Sequence, residues 1–242
     1  MRKAIICFFA VFFLADMAQA KDLKDWGVVV LHGKGGSGAQ MGPIASALQA
    51  EGAKVVVPTA SWSKGYKTYD ATMEEIGGYV AQVRAQGAKR VAVVGQSLGT
   101  NVALGYGAKR GGVDAIVAIS PGHFPERFGN KDIADSLKRA KEMIAAGRGN
   151  ETAKFTDTNQ GKVYEVQTTA VAYVSFFDPA GPAVMSRNAA NLKNSKLLWI
   201  VGTGDAGAQS VAQGGKVVTL GGGHFDMPKV SAKEIVGWLE SL

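Results

Sequence analysis

Cysteine is almost absent from this chain of 242 residues, and the single Cys7 lies near the amino terminus. Cys7 falls within residues 1–20, where the basic pair Arg2–Lys3 precedes an apolar run and Ala18–Ala20 (Ala-Gln-Ala) follows it. This pattern is typical of a secretory signal peptide, and the apolar run is too short for a membrane anchor. After cleavage, residues 21–242 contain no thiol, which excludes disulfides, a cysteine nucleophile and cysteine-ligated metals. We therefore expect a periplasmic or secreted protein with no stable membrane anchor.

Histidine is also scarce, and basic residues do not cluster. The three histidines are too widely spaced to suggest a metal-ligand pattern, so we predict no metal and no cofactor. The formal net charge is +7, but the lysines are scattered, without a basic run or interleaved aromatic residues. Such scattering is typical of a solvated surface, so no nucleic-acid partner is predicted. The sequence does not indicate the oligomeric state.

Apolar runs alternate with helical periodicity from Trp26 to the end of the chain. The remaining length of about 220 residues fits one domain with a sizeable core. Alternating strands and helices require a parallel sheet covered on both faces, so the predicted fold class is α/β with a doubly wound, six-stranded sheet. The predicted strands are Gly27–His32, Lys54–Val57, Arg90–Val94, Ala115–Ile119, Leu197–Val201 and Lys216–Leu220.

The helices between these strands are predicted to begin near Pro43, Asp70 and Leu98. A closing helix is predicted to begin at Ser231, because Ser231 and Glu234 have the spacing of a capping box.

Residues 121–195 interrupt the alternation between the predicted fourth and fifth strands. This interval contains an amphipathic helix around Ile133–Ile144, a hairpin at Asn159–Gly161 and a helical segment at Thr169–Phe177. We expect the insert to sit over the carboxyl ends of the sheet like a cap, a position from which loops commonly select substrates.

The segment Gly95–Gly99 (Gly-Gln-Ser-Leu-Gly) directly follows the third strand and opens a helix. This is the setting of a nucleophile elbow, a tight turn that holds a serine hydroxyl clear of the sheet. The glycines two positions before and after the serine allow strand and helix to approach closely. Ser97 is therefore predicted to be a nucleophile, and the alternative is a serine that only caps the helix.

A serine hydroxyl needs a base to take its proton, and the base needs an orienting carboxylate. His224 follows the sixth strand and Asp205 follows the fifth, so both are predicted at the edge of the sheet where Ser97 emerges. Asp178 is an alternative orienting acid, although an aspartate before a proline is also typical of a turn.

Two backbone N–H groups are predicted to bind a developing oxyanion, namely those of Leu98 and Lys34. Leu98 opens the helix after the elbow, and Lys34 lies in the glycine-rich loop His32–Gly36 after the first strand. The glycines Gly33–Gly38 also match a dinucleotide-binding fingerprint, but that fingerprint needs an acidic residue where this chain has Pro58.

The remaining histidines are interpreted without a catalytic role. His32 is predicted to be a structural residue that closes the first strand, and His123 a satisfied loop histidine that can face the cleft. Asp226 is too close in sequence to His224 to orient it, and we expect it at the surface.

Taken together, these motifs resemble those of a small α/β-hydrolase. The His-Gly-x-Gly loop, the Gly-x-Ser-x-Gly elbow, the acid after the penultimate strand and the final Gly-His occur in the same order and context, from Trp26 to Leu242. The chain departs from the full pattern because only Lys21–Asp25 precede the first strand, which leaves out two leading strands. The resemblance implies hydrolysis of an ester, thioester, amide or related bond, without choosing among them. Our prediction is a serine hydrolase that cleaves an ester or related bond of a small acyl substrate with Ser97, His224 and Asp205. A peptidase or amidase, or a non-catalytic binding protein of this fold, is the alternative.

Overall fold

The structure is a computed structural model that describes residues 22–205, 207, 210–212 and 214–242. The predicted signal peptide, residues 1–20, lies outside the described residues. Within the described ranges, no helix combines the length and apolar character that crossing a membrane requires.

The six strands predicted from the sequence are all present and form one parallel sheet. The strands, numbered along the chain and including a two-stranded hairpin, are β1 (Trp26–Leu31), β2 (Lys54–Val56), β3 (Arg90–Ser97), β4 (Ala115–Pro121), β5 (Thr152–Asn159), β6 (Lys162–Thr169), β7 (Lys196–Gly202) and β8 (Lys216–Leu220). The order across the large sheet is β2-β1-β3-β4-β7-β8. The predicted α/β class is therefore confirmed.

Helices cover both faces of this sheet. They are α1 (Gly42–Ala50), α2 (Tyr69–Ala85), α3 (Leu98–Lys109), α4 (Lys131–Ala145), α5 (Ala170–Phe177), α6 (Met185–Ala190), α7 (Met227–Val230) and α8 (Ala232–Glu240). Val28 packs in one core cluster with Leu48 of α1 and Leu239 of α8, whereas Val29 packs in the other with Met73 of α2. Successive strand residues thus serve opposite cores, which explains why the central strands are apolar throughout.

The closing helix α8 starts where predicted, with Ser231 as its N-cap residue, but its cap differs from the prediction. Ser231 has a helical backbone (φ −87°, ψ −13°), and its hydroxyl donates to the Met227 carbonyl at 2.6 Å. Glu234 pairs instead with Lys216 at 3.0 Å. The predicted capping box is wrong because the short helix α7 places an acceptor carbonyl one turn before the serine hydroxyl.

The insert between β4 and β7 begins after Pro121, which still belongs to β4. The predicted hairpin and the helix that follows it are confirmed, as β5, β6 and α5. The turn at Gln160 and Gly161 has positive φ at both positions (49° and 77°), as the common two-residue hairpin turn requires. The Phe155 ring on β5 stacks on Tyr173 of α5 at 4.6 Å, which fastens the hairpin to the insert's helices.

Candidate active site

Ser97 ends β3 and is followed at once by α3. Its backbone has φ 57° and ψ −118°, in a region that residues with a side chain rarely adopt. A methyl group at Gly95 would overlap the carbonyl of Gly99, and one at Gly99 would lie 2.6 Å from the Leu31 carbonyl oxygen. Both glycines are therefore needed for strand and helix to approach, and the sharp turn between them has the form of a nucleophile elbow.

Two loops lie close to the Ser97 side chain. A methyl group at Gly122 would lie 2.6 Å from Ser97 Oγ, and one at Gly33 would lie 3.1 Å from Ser97 Cβ. The loop after β1 thus runs close to Ser97 Cβ, and the loop after β4 runs close to the hydroxyl. No hydrogen bond joins Ser97 Oγ to His224, both of which belong to the described part of the chain.

His224 and Asp205 form a close pair at the carboxyl edge of the sheet. His224 Nδ1 lies 2.7 Å from Asp205 Oδ2, and both side chains are largely buried. Because an ionised carboxylate only accepts hydrogen bonds, the imidazole donates from Nδ1 and keeps Nε2 as an acceptor. Asp178 is elsewhere: it pairs with Lys141 at 2.8 Å and accepts from the Ala180 N–H at 2.9 Å, as a turn residue does.

The two predicted oxyanion donors, Lys34 and Leu98, line the same cavity as Ser97. Leu98 is the first residue of α3, so its N–H belongs to the unsatisfied amino end of a helix. The Lys34 N–H makes no hydrogen bond with any residue that the structure describes. Both backbone groups are therefore available to an anion that forms beside Ser97.

The cavity has a volume of about 240 Å³ and joins several parts of the chain. Ser97, His224 and Asp205 lie along it, Phe128 contributes an apolar wall, and the hairpin tip 158–160 adds polar groups. The cavity is therefore lined both by residues at the carboxyl ends of the strands and by the hairpin tip of the insert.

His32 is fully buried, and both of its ring nitrogens have partners. Nδ1 lies 2.7 Å from the Gly33 carbonyl oxygen, and Nε2 accepts from the Ala60 N–H at 2.9 Å. Burial lowers the pKa of His32. His32 is thus a structural residue, as predicted, and it fixes the start of the glycine-rich loop.

His123 differs in part from the prediction. Its Nε2 donates to the Phe176 carbonyl at 2.9 Å, but Nδ1 has no partner among the described residues, so the ring is only half satisfied. It also lines the cavity. Burial, with a smaller effect of the nearby Lys34 charge, lowers the pKa of His123 to about 3, so the ring is neutral at ordinary pH.

The glycine-rich loop does not open a helix directly. A short 3-10 turn, Gly38–Met41, separates it from α1, which begins at Gly42. A dinucleotide fingerprint places its last glycines in the first turn of a helix, so this geometry opposes that alternative. Asp226 is exposed and accepts from the Gly223 N–H at 2.8 Å, in agreement with its predicted surface position.

Sequence reasoning missed Gln96, the residue just before Ser97. Its side chain is buried, its Nε2 donates to the His224 carbonyl at 3.3 Å, and its Oε1 would lie 2.5 Å from a methyl group at Gly33. Gln96 thereby connects the elbow, the glycine-rich loop and the histidine loop. Its position inside the Gly-x-Ser-x-Gly motif was a usable signal, because a side chain beside the serine of such a turn faces neighbouring loops.

The described ranges contain no evident set of metal ligands. No three or more His, Cys, Asp or Glu side chains come close enough there to hold a metal ion.

Comparisons with known proteins identify the fold. A monoacylglycerol lipase from Paleococcus ferrophilus has a similar structure, with a TM-score of 0.65 and 16% identity over 91% of this chain and 95% of that chain. An enol-lactonase from Burkholderia xenovorans is similar at a TM-score of 0.55 and 16% identity, over 88% of this chain and 90% of that chain. A thioesterase domain from the curacin biosynthetic pathway is similar at a TM-score of 0.54 and 16% identity, over 91% and 93%.

A comparison with curated protein sequences found no match. The model of the α/β hydrolase family matches residues 28–234, which is most of the chain. That match includes the elbow, the glycine-rich loop and the paired acid and histidine described above. The chain therefore belongs to the α/β hydrolase family.

Proposed function

We propose that this protein is an exported serine hydrolase that cleaves a carboxylic ester or a related acyl bond through an acyl-enzyme. One observation carries the proposal: the His224–Asp205 pair, at 2.7 Å, shares a cavity with a serine held in a strained turn. A protein that only bound a ligand would have no need for this combination. The roles are nucleophile for Ser97, general base for His224 and orienting acid for Asp205.

In the acylation step, Ser97 Oγ attacks the carbonyl carbon and its proton passes to His224 Nε2. The Ser97 side chain first turns toward His224, because the two are not hydrogen-bonded in the free protein. The carbonyl π electrons move onto oxygen, where the N–H groups of Lys34 and Leu98 stabilise the negative charge. The bond to the leaving group then breaks, and the leaving oxygen takes the proton from His224.

Deacylation repeats the sequence with water. His224 Nε2 removes a proton from a water molecule as its oxygen attacks the acyl carbon of the Ser97 ester. The tetrahedral intermediate collapses, the free acid departs, and the proton returns to Ser97 Oγ. Asp205 remains ionised throughout and keeps His224 in the required tautomer.

The names of the similar structures and the size of the cavity favour ester and thioester substrates over peptides. The three similar structures are described as a monoacylglycerol lipase, an enol-lactonase and a thioesterase domain, names that refer to esters or thioesters and not to peptides. A cavity of about 240 Å³ also suits a small acyl group better than a folded polypeptide.

The first test is labelling of residues 21–242 with a fluorophosphonate, with the modified peptide mapped by mass spectrometry. We expect an adduct on Ser97 that His224→Ala abolishes, and Ser97→Ala is expected to lower kcat by a factor on the order of 10⁴ with unchanged thermal stability. Near-normal turnover by Ser97→Ala would refute the proposal.

Absence of an adduct on folded protein would favour a binding protein. A panel of acyl esters and peptide amides distinguishes an esterase from an amidase.

The orienting acid can be tested with two matched substitutions. Asp205→Asn keeps the shape of the side chain but removes the charge opposite His224, so we expect kcat to fall by about 10³- to 10⁴-fold. Asp178→Asn disturbs only the pair with Lys141 and a turn, so activity should stay within about twofold of the unmodified protein. Steady-state kinetics on both variants decides between them, and the reverse pattern would assign the role to Asp178.

Export is part of the proposal and has its own test. Residues 1–20 carry the pattern of a cleaved signal. Protein recovered from its native host should lie outside the cytoplasm and begin at Lys21. Intact residues 1–20 on the functional protein would contradict export by this route.

A further inference from the structure

A buried ion pair stands next to the cavity and plays no part in the mechanism above. Lys34 Nζ lies 2.5 Å from Asp157 Oδ1 and 2.9 Å from the Thr158 carbonyl oxygen, and the Lys34 and Asp157 side chains are only 7% and 1% exposed. Asp157 also accepts from Tyr66 OH at 2.7 Å and from Tyr164 OH at 3.0 Å. The carboxylate is thus surrounded by donors in the interior.

These contacts join three segments that are distant in sequence. Lys34 belongs to the glycine-rich loop after β1, Tyr66 to the loop before α2, and Asp157 to β5 of the hairpin. Two further bonds reinforce the junction: Asn159 Nδ2 donates to the Lys34 carbonyl at 3.4 Å, and Thr168 Oγ1 donates to the Tyr66 carbonyl at 2.7 Å. The side chain and the carbonyl of Lys34 are both held by the hairpin.

Stability alone does not account for this arrangement. Removing two charges from water costs several kcal/mol per ion, and apolar pairs of similar volume are often as stable as buried ion pairs. Burial lowers the pKa of Lys34, and the charge of Asp157 opposes that effect. The Lys34–Asp157 pair does, however, hold in place a residue that lines the cavity and whose N–H has no hydrogen-bond partner among the described residues.

We propose that Asp157 is a positioning residue: through the Lys34 side chain it fixes the glycine-rich loop, so that the Lys34 N–H keeps its place beside Ser97. The inference rests on the proposed function, since it assigns the hairpin a role in oxyanion binding. The insert then serves the chemical step as well as covering the cavity.

Three variants test this role, and one matched variant controls for the hairpin. Lys34→Met keeps the backbone N–H but removes the tether, and Asp157→Asn keeps the side-chain shape but removes the charge. The double variant Lys34→Met/Asp157→Leu removes both charges and guards against misfolding from a lone buried ion. Lys154→Met is the control, because it breaks an exposed pair with Glu165 on the same hairpin.

We expect kcat to fall by about tenfold or more in the three test variants, because a displaced oxyanion donor weakens only the transition state. KM should stay within about twofold of the unmodified value, and thermal unfolding should show a folded protein. Hydrogen exchange of the amides in residues 33–36 should be faster. The control Lys154→Met should change neither kcat nor that exchange.

Folded Asp157→Asn with normal kcat would overturn the inference. So would a rise in KM alone, which indicates a direct substrate contact, or a lower kcat with unchanged exchange in residues 33–36. The proposed function fails differently: the unmodified protein would then show neither turnover nor labelling of Ser97.

Discussion

Ser97 combines an unusual backbone with unusually tight surroundings. A residue with a side chain held at φ 57° costs of order 1–3 kcal/mol, which the adjoining strand and helix must offset. The close approach of Gly122 adds a second constraint, because its Cα faces the Ser97 hydroxyl. A side chain at position 122 would therefore restrict the rotation of the Ser97 hydroxyl.

Gly122→Ala tests this constraint. The added methyl group would lie 2.6 Å from Ser97 Oγ, so the hydroxyl must shift or lose its freedom to turn. We expect kcat/KM to fall by about 10- to 100-fold with little change in thermal stability.

Gly129→Ala is the matched control, since a methyl group there would meet nothing within 4 Å in the same stretch of the insert. Equal activity of both variants and the unmodified protein would show that Gly122 does not restrict the Ser97 hydroxyl.

Single residues of the site were predictable where they follow a strand. Ser97, Asp205 and His224 each come after an apolar run, and the ends of parallel strands meet at one edge. Asp157 was not predictable in this way, because a charged residue in a hairpin with a polar exposed face resembles a surface residue. Its burial depends on Lys34 and Tyr66, which approach it only in the folded chain.

At the level of elements, the backbones of β3 and α3 approach each other closely at the site. The absence of a side chain at Gly95 allows the first turn of α3 to rest on the strand. Gly78, in contrast, lies exposed within α2, where a methyl group would meet nothing within 4 Å.

Gly95→Ala is therefore expected to destabilise the protein by about 1–3 kcal/mol or more, since the methyl group overlaps backbone that cannot move freely. Gly78→Ala should instead stabilise it by about 0.5–1 kcal/mol, because glycine is a poor residue for a helix interior. Denaturant unfolding measures both changes. An unchanged free energy of unfolding in Gly95→Ala would mean that α3 and β3 can move apart without an energetic cost.

The elements themselves were largely predictable, and their packing was less so. Central strands stand out because they are buried on both faces, and the hairpin was marked by Gly161 at its turn. The cap of α8 was wrong because the Ser231 hydroxyl had a nearer acceptor in α7. The seating of the insert depends on aromatic contacts such as Phe155 on Tyr173, which no local pattern encodes.

For the whole molecule, the buried histidines predict how stability depends on pH. The pKa of His123 falls from 6.5 to about 3 on folding, because of burial and then the nearby Lys34 charge. Between these values the unfolded chain binds a proton that the folded protein excludes. The free energy of unfolding should therefore decrease as the pH falls through this window, by up to about 1.4 kcal/mol per pH unit from this residue.

The measurement is denaturant unfolding at several pH values for the unmodified protein and for His123→Asn. Asparagine accepts the positive φ of 65° at this position and does not titrate. The free energy of unfolding should fall less steeply with decreasing pH in the variant, because up to one fewer proton is taken up on unfolding. The carboxylates contribute equally in both proteins. Identical slopes would show that His123 is protonated in the folded state.

The walls of the cavity come from residues 34, 97, 158–160 and 224, so no continuous stretch of the chain contains them all. A polypeptide passing through a narrow channel in extended form would have neither the strained turn nor the paired acid and histidine. Hydrolytic competence would arise only after the distant segments meet. An exported chain would thus be harmless to acyl compounds inside the cell and would become reactive where it folds.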